Sequence, residues 1–191
     1  MNSLNEKIEY LLEQVQKAPR YTGGEMNTDI KKYTAELESK FNGADGKTYV
    51  MLCGGTGCTS SGSQQIQDLL KSELAKAGLE NEVAVVQTGC HGLCALGPIM
   101  IVYPEGTFYS MVKPEYVPEI VSEHLVKGRV VKKYVYDETI VNEEITPLTE
   151  TAFYKKQHRI ALRNCGVINP ENIEEYIATD GYAALGKVLT E

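Results

Sequence analysis

Apolar residues recur along the chain with the spacing of helices in some segments and of strands in others. Residues 1–44 show helical spacing. Ser3 and Glu6 form a candidate capping box for a helix that Pro19 would end. Thr28 is placed to cap a second helix. Its inward positions would be Ile30, Tyr33, Leu37 and Phe41. The two helices are predicted to form a leader over residues 1–44.

A mixed pattern over residues 45–128 predicts a small α/β domain. A buried strand is expected at "KTYVML", and a helix over "SQQIQDLLKSELAKAGL" would end at Gly78. Further strands are expected at "EVAVVQT", "IMIVYP" and "TFYSMV". A last helix is predicted from Pro114 to Gly128. The Gly-rich loops that follow the first and third elements are therefore expected to leave strands.

The remaining third of the chain returns to helical spacing after an extended stretch. Residues 129–150 mix β-branched and charged residues and are predicted to be a connector. Residues 151–191 contain three helical patterns: "AFYKKQHRIALRNCG", "NPENIEEYIATDG" and "YAALGKVLTE". Asn169 and Pro170 are placed as the cap and first residue of the middle one.

Charge and composition reduce the number of functions that the sequence allows. The 191 residues carry 19 basic and 26 acidic side chains, a net charge of −7, without a basic cluster, which argues against a nucleic-acid partner. The sequence shows neither a signal peptide nor an apolar run long enough to span a membrane, so a cytoplasmic location is predicted. Five cysteines in such a chain indicate reduced thiols that serve as ligands or nucleophiles.

Four of the five cysteines occupy two Gly-rich motifs, "CGGTGC" and "CHGLC". Cys53 and Cys58 have four residues between them, and Cys90 and Cys94 have three. Four thiolates suit either zinc or an iron–sulfur cluster. Structural zinc usually uses two-residue knuckles, whereas the wider loops favour a 2Fe-2S cluster, and the glycines would let amide groups point at sulfur. We predict a cluster site at these four cysteines, with zinc as the alternative, and no catalytic residue.

Other chemically active side chains have simpler interpretations. His91, beside Cys90, is a candidate hydrogen-bond donor near the cluster, with ligation as the minority interpretation. His124 and His158 are expected to be surface or capping residues of helices. Cys165 is expected to be a small buried apolar residue near a helix end.

These motifs resemble a known family. "CGGTGC" with "SSGS", then "TGCHGLCALGPIMIVYPEG", resembles the thioredoxin-like 2Fe-2S ferredoxin module of NADH-binding subunits. "RIALRNCGVINPENIEEYIATDGYAALGKVL" is similar to the lead-in to the flavin domain of the complex I flavoprotein type. In this order they resemble the NADH-binding flavoprotein (beta) subunit of multimeric NAD-dependent, often electron-bifurcating, iron-only hydrogenases. Subunits of NADP-reducing hydrogenase and NAD-dependent formate dehydrogenase look similar.

The resemblance implies an α/β fold: a thioredoxin-like 2Fe-2S ferredoxin domain between a helical leader and a C-terminal helical segment. It implies a 2Fe-2S cluster on Cys53, Cys58, Cys90 and Cys94, and a cis bond before Pro98. Residues 151–191 would be the helical start of a truncated flavin and NADH-binding domain. FMN, NAD and a 4Fe-4S cluster are expected only in the full-length subunit.

The implied function is one-electron transfer within an NAD-linked hydrogenase. The implied partners are its catalytic iron-only subunit and a small ferredoxin-like subunit. On this interpretation the chain alone is an electron-transfer module, and the oxidoreductase activity belongs to the parent complex. The alternatives are a zinc-bound docking module, a free-standing thioredoxin-like ferredoxin, and the equivalent formate dehydrogenase subunit.

Overall fold

A four-stranded mixed sheet is the centre of the computed structural model, which describes residues 28–141 and 144–190. Its strands are β1 (Thr48–Cys53), β2 (Val83–Thr88), β3 (Met100–Tyr103) and β4 (Thr107–Tyr109). The order is β2-β1-β3-β4. β1 runs parallel to β2 and antiparallel to β3, and β4 is antiparallel to β3. The α/β fold predicted from the sequence is confirmed. The predicted helix from Ser3 to Pro19 lies outside the described residues.

Seven α-helical segments occur in the described part of the chain, several of them a single turn. They are α1 (Thr28–Asn42), α2 (Thr56–Ser60), α3 (Ser63–Ala77), α4 (Val117–Glu119), α5 (Ala152–Lys155), α6 (Ile173–Ala178) and α7 (Ala183–Thr190). α3 connects the parallel strands β1 and β2, and Gly78 ends it in the left-handed conformation with φ 72°, as predicted. No helix among the described residues is long and apolar enough to span a bilayer.

The sheet is covered on both faces, and successive residues of β1 point to opposite sides. Val50 and Leu52 belong to the larger core cluster, which contains the inward side chains of α3. Cys53 belongs to a smaller cluster on the other side, with Ile101 and Phe108. Because β1 is buried on both faces, the end of this strand delivers a cysteine into an apolar environment.

Residues after Gly128 contribute to the same cores. Val131 and Val135 join the larger cluster, and Val135 also forms a β-bridge with Tyr109. Leu148 joins the smaller cluster. Two short strands, β5 (Ile140–Val141) and β6 (Glu144–Ile145), pair antiparallel.

The chain forms two compact units. One comprises Ser39–Asn169 and contains the sheet and both core clusters. The other comprises, among the described residues, 28–38 and 170–190. Within it, Asn172 caps α6, since its Oδ1 accepts the amide groups of Glu174 and Glu175 at 2.9 and 3.4 Å. The cap is therefore Asn172, three residues after the predicted Asn169.

The helix predicted over "AFYKKQHRIALRNCG" is wrong beyond its first turn, because helical structure stops at Lys155. Two apolar residues of this stretch are exposed: Ile160 is 70% and Leu162 is 59% accessible. A helix there would bury no apolar face and would gain little stability from packing.

The helix predicted from Pro114 to Gly128 is present in irregular form. A 3-10 turn (Pro114–Tyr116) precedes α4, and a π-helix (Ile120–Leu125) follows it. Gly128 adopts φ 67°, and its amide donates to the carbonyl of His124, which ends the helix as predicted.

His124 is buried, contrary to the expectation of a surface or capping role. The Tyr109 hydroxyl accepts the amide of Val131 at 3.2 Å and is hydrogen-bonded to His124 Nδ1 at 2.9 Å. His124 Nε2 donates to the Glu105 carboxylate at 2.7 Å. Burial raises the pKa of Tyr109, which keeps its hydroxyl protonated. For Glu105, burial acts to raise the pKa, but the hydrogen bond from His124 and weaker contacts outweigh it, so the pKa is lowered.

Tyr109→Phe is expected to destabilise the protein by about 1–3 kcal/mol, because it leaves the Val131 amide and His124 Nδ1 buried without a partner. Urea unfolding followed by circular dichroism measures this difference. Tyr136→Phe is the matched control, since the Tyr136 hydroxyl bonds to Glu138 at an exposed site. Equal stability of the two variants would contradict the buried network.

Candidate metal centre

The two cysteine motifs meet at one edge of the sheet. Cys53 is the last residue of β1, and it pairs in register with Thr88, the last residue of β2. Parallel strands bring their carboxyl ends to the same edge. The loop after β1 leads into α2, which contains Cys58, and the loop after β2 carries Cys90 and Cys94. The predicted convergence of the motifs therefore follows from strand pairing.

The four thiols form an inner and an outer pair. Cys53 and Cys58 are each 1% exposed and pack among the apolar residues of the smaller core cluster. Cys90 is half-buried and Cys94 is exposed, and their sulfur atoms lie 3.7 Å apart. All four are free cysteines.

Electrostatics link the two pairs. Burial, followed by the hydrogen bond to Cys53 and the charge of that thiolate, raises the pKa of Cys58 to about 12, and the charge of Cys90 adds to the effect. The hydrogen bond to Cys90 and its charge raise the pKa of Cys94, with a smaller contribution from Cys53. A thiol with a raised pKa gives up its proton when a cation binds, so positive charge between the pairs would stabilise the ionised set.

Gly55 allows the two loops to approach each other, and Gly92 shapes the loop that carries Cys90. A Cβ atom on Gly55 would lie 2.8 Å from Cys90 Cβ and 3.1 Å from Cys90 Sγ, so a side chain there would collide with the other motif. Gly92 has φ 85°, in the left-handed region, and its amide donates to Cys90 Sγ at 3.3 Å. The predicted amide-to-sulfur hydrogen bonding is thus present at Cys90.

The predicted cis bond between Gly97 and Pro98 is confirmed, and Tyr103-Pro104 is also cis. Gly97 follows the 3-10 turn Cys94–Leu96, which begins with Cys94 of the outer pair. The amides of Met111 and Val112 donate to the carbonyls of Leu96 and Pro98 at 2.8 and 3.0 Å. The turn is therefore tied to the segment after β4.

The His91 side chain is buried against Gly166. It is 4% exposed, and a Cβ on Gly166 would be 2.5 Å from its Nδ1. Burial, followed by the positive charge of Arg159, lowers the pKa of His91 to about 4, so the ring is neutral. Nε2 has no hydrogen-bond partner among the described residues. That His91 donates a hydrogen bond near the cluster stays a prediction.

Cys165 is not the core residue expected from its sequence. It is half-buried in a turn, and a Cβ on Gly89 would lie 3.1 Å from its sulfur. Cys165 is thus beside the loop that carries Cys90. No local sequence signal indicates this proximity, because it depends on how the chain returns after the connector.

The donor set fits a dinuclear cluster. Among residues 28–141 and 144–190, no three Cys, His, Asp or Glu side chains are grouped as a site for one metal ion. The thiols form two pairs that influence each other electrostatically. A 2Fe-2S cluster takes four cysteine thiolates, which two pairs can supply as two for each iron.

The sheet topology and the paired thiols at its edge define an α/β domain of the thioredoxin-like type with a sulfur-rich site. Residues 38–125 match the family described as thioredoxin-like [2Fe-2S] ferredoxin. The chain is 45% identical over 76 residues to the "Ferredoxin, 2Fe-2S" of Clostridium pasteurianum, a match that covers 40% of this chain and 74% of that protein. The chain therefore belongs to the thioredoxin-like [2Fe-2S] ferredoxin family.

Two further similarities extend the comparison. The crystal structure of the wild-type thioredoxin-like [2Fe-2S] ferredoxin from Aquifex aeolicus is 31% identical, with a TM-score of 0.44 and coverage of 48% of this chain and 97% of that one. The "NADP-reducing hydrogenase subunit HndC" of Solidesulfovibrio fructosivorans is 58% identical over 43 residues, 22% of this chain and 9% of that protein. Family membership assigns a 2Fe-2S cluster and electron transfer to the ferredoxin domain.

Gly55→Ala is expected to lower the iron retained per chain, because the new methyl group would displace the Cys90 side chain. Gly57→Ala is the matched control in the same motif, two residues later in α2, since its Cβ would lie 3.7 Å from Cys94 Cβ, an ordinary contact. Iron analysis of anaerobically purified variants makes the comparison, with circular dichroism to confirm folding. Wild-type iron content in Gly55→Ala would show that the two loops do not meet at this point.

Proposed function

We propose that Cys53, Cys58, Cys90 and Cys94 hold the 2Fe-2S cluster of this ferredoxin domain, and that the chain transfers single electrons through it. The observation that carries the proposal is the meeting of two thiol pairs at the carboxyl edge of β1 and β2. The bound cluster would supply reversible one-electron reduction at a potential set by its surroundings.

The inner and outer pairs have different tasks. Cys53 and Cys58 lie against Ile99 and Phe108, and this apolar packing excludes water from their side of the site. Cys94 is exposed and brings the opposite side of the site to the surface, where a redox partner can approach. The Gly92 amide at Cys90 Sγ stabilises negative charge on that sulfur.

The chain purified without oxygen is expected to contain about two irons and two acid-labile sulfides, to lose its visible colour on reduction, and to give an EPR signal of one unpaired electron. Alanine at Cys53, Cys58, Cys90 or Cys94 should remove most of the cluster. Alanine is preferred to serine because a serine oxygen could still coordinate iron.

Cys165→Ala is the control, since it removes a neighbouring thiol outside the proposed ligand set. It should keep its iron and its spectrum. A colourless protein with one zinc per chain would instead support the zinc-bound docking module. Loss of the cluster in Cys165→Ala, with retention in one of the other four variants, would overturn the ligand assignment.

The finer proposal is that the ferredoxin domain belongs to the flavoprotein subunit of an NAD(P)-linked hydrogenase. The 43-residue stretch that is 58% identical to the NADP-reducing hydrogenase subunit supports it, as does the resemblance of the C-terminal segment to the lead-in of a flavin domain. FMN, NAD and a 4Fe-4S cluster would then belong to the longer subunit. The catalytic iron-only subunit and a small ferredoxin-like subunit would be the partners.

Reduction of the cluster-loaded chain by H2 tests this assignment. With the remaining subunits of an NADP-reducing hydrogenase present, H2 should bleach the cluster at a rate that saturates with subunit concentration. Omission of the subunits is the control. Bleaching that requires formate and the subunits of a formate dehydrogenase would favour that complex, and no reduction by either set would leave a free-standing ferredoxin.

A further inference from the structure

Residues 147–168, here called the cap segment, follow the part of the chain that matches the ferredoxin family. The family match ends at residue 125. The cap segment nevertheless belongs to the same compact unit as the sheet. It reaches residues 88–94, which run from the last residue of β2 to Cys94 and are here called the Cys90 loop. The cap segment contacts Thr88 and His91, which flank Cys90 in this loop.

Thr88 is the first point of contact. Its side chain is 1% exposed, and it lies two residues before Cys90 and opposite Cys53 in the β1–β2 ladder. The hydroxyl accepts the amide of Gly166 at 3.1 Å and donates to the carbonyl of Ile168 at 2.8 Å. Both hydrogen bonds of this hydroxyl therefore hold the cap segment to the start of the Cys90 loop.

His91 is the second point of contact. The Tyr154 hydroxyl donates to the His91 carbonyl, and the His91 ring packs on Gly166, which has φ 82°. A side chain at residue 166 would displace the ring. The residue that follows Cys90 is thus held through its carbonyl and through its ring.

The cap segment is braced within itself. The Arg159 guanidinium donates to the Cys165 carbonyl at 2.8 Å and lies over the Tyr154 ring at 5.4 Å. Cys165 in turn lies against Gly89. These contacts hold the turn around residue 165 beside the Cys90 loop, while Cys94 remains exposed on the outer side.

We propose that the cap segment positions the Cys90 loop through Thr88 and Tyr154 and shields it from water, which slows cluster loss and makes the reduction potential more negative. The inference rests on the proposed function. A reduced cluster carries one more negative charge, and water stabilises that charge better than an apolar environment does. Shielding therefore disfavours the reduced state. Thr88 and Tyr154 are positioning residues, because they contact the loop and not the cluster.

The test compares Thr88→Val, Thr88→Ser and Tyr154→Phe in the full chain. Thr88→Val and Tyr154→Phe should release iron to a chelator roughly two- to tenfold faster than the wild type, as expected for the loss of a hydrogen bond that holds a loop. Their potentials, measured by redox titration of the visible spectrum, should shift to more positive values. Thr88→Ser keeps the hydroxyl and should behave like the wild type.

Thr139→Val and Tyr136→Phe are the matched controls. The buried Thr139 hydroxyl donates to the Tyr136 carbonyl at 2.7 Å, and the Tyr136 hydroxyl bonds to Glu138, so both variants remove one hydrogen bond away from the Cys90 loop. They should leave the potential unchanged. If Thr88→Val fails to fold, Tyr154→Phe and Thr88→Ser still decide the question.

The outcomes separate the two proposals. A wild-type chain without a cluster would overturn the proposed function itself. If the wild type holds a cluster but has the same potential and iron-release rate as Thr88→Val and Tyr154→Phe, the proposed role of the cap segment is wrong while the proposed function stands. Equal shifts in Thr139→Val and Thr88→Val would also overturn it, since the effect would then reflect general stability.

Discussion

The parallel pairing of β1 with β2 is the constraint on which the site depends. The register places Cys53 opposite Thr88, so the two motif loops leave the sheet side by side. α3 makes this pairing possible, since parallel neighbours need a long crossover, and its apolar face covers the sheet. A shift of one residue in this register would turn Cys53 to the other face of the sheet. The sulfur-rich site is therefore a consequence of how one strand pairs.

The site combines an apolar interior with a polar exterior. Cys53 and Cys58 are held where charge is costly, whereas Cys94 faces solvent. Burial is the main cause that raises the pKa of Cys58, the hydrogen bond to Cys90 is the main cause for Cys94, and repulsion between neighbouring thiolates adds to both. The neutral ring of His91 adds no positive charge to offset this repulsion. The compensating charge has to arrive with the bound metal, which links assembly of the centre to proton release.

Local patterns predicted the parts of the structure that local chemistry decides. The period of the apolar residues located α3 and the strands, and Gly78 and Gly128 ended their helices as predicted. The buried position of His124 could also have been found, because it lies three and four residues after Val121 and Ile120 on one helix face. That spacing is a usable signal for a buried histidine.

Contacts between distant parts of the chain could not be predicted from local sequence patterns. Thr88 reads as an ordinary strand residue, and its two bonds to the segment around Gly166 depend on the path of the intervening chain. The same path exposes Ile160 and Leu162, which removed the reason for a helix there. Sequence patterns report what a residue prefers among its neighbours, and these positions are decided by tertiary contacts.

The close approach of Gly55 to Cys90 couples the substitutions that the two loops can accept. Since a side chain at residue 55 would occupy the space of the Cys90 side chain, bulk added at this point of the first loop requires the second loop to shift. The two motifs should therefore be inherited, and transplanted in any engineered chimera, as one unit. A chimera that exchanged "CGGTGC" alone would combine halves that had not been fitted to each other.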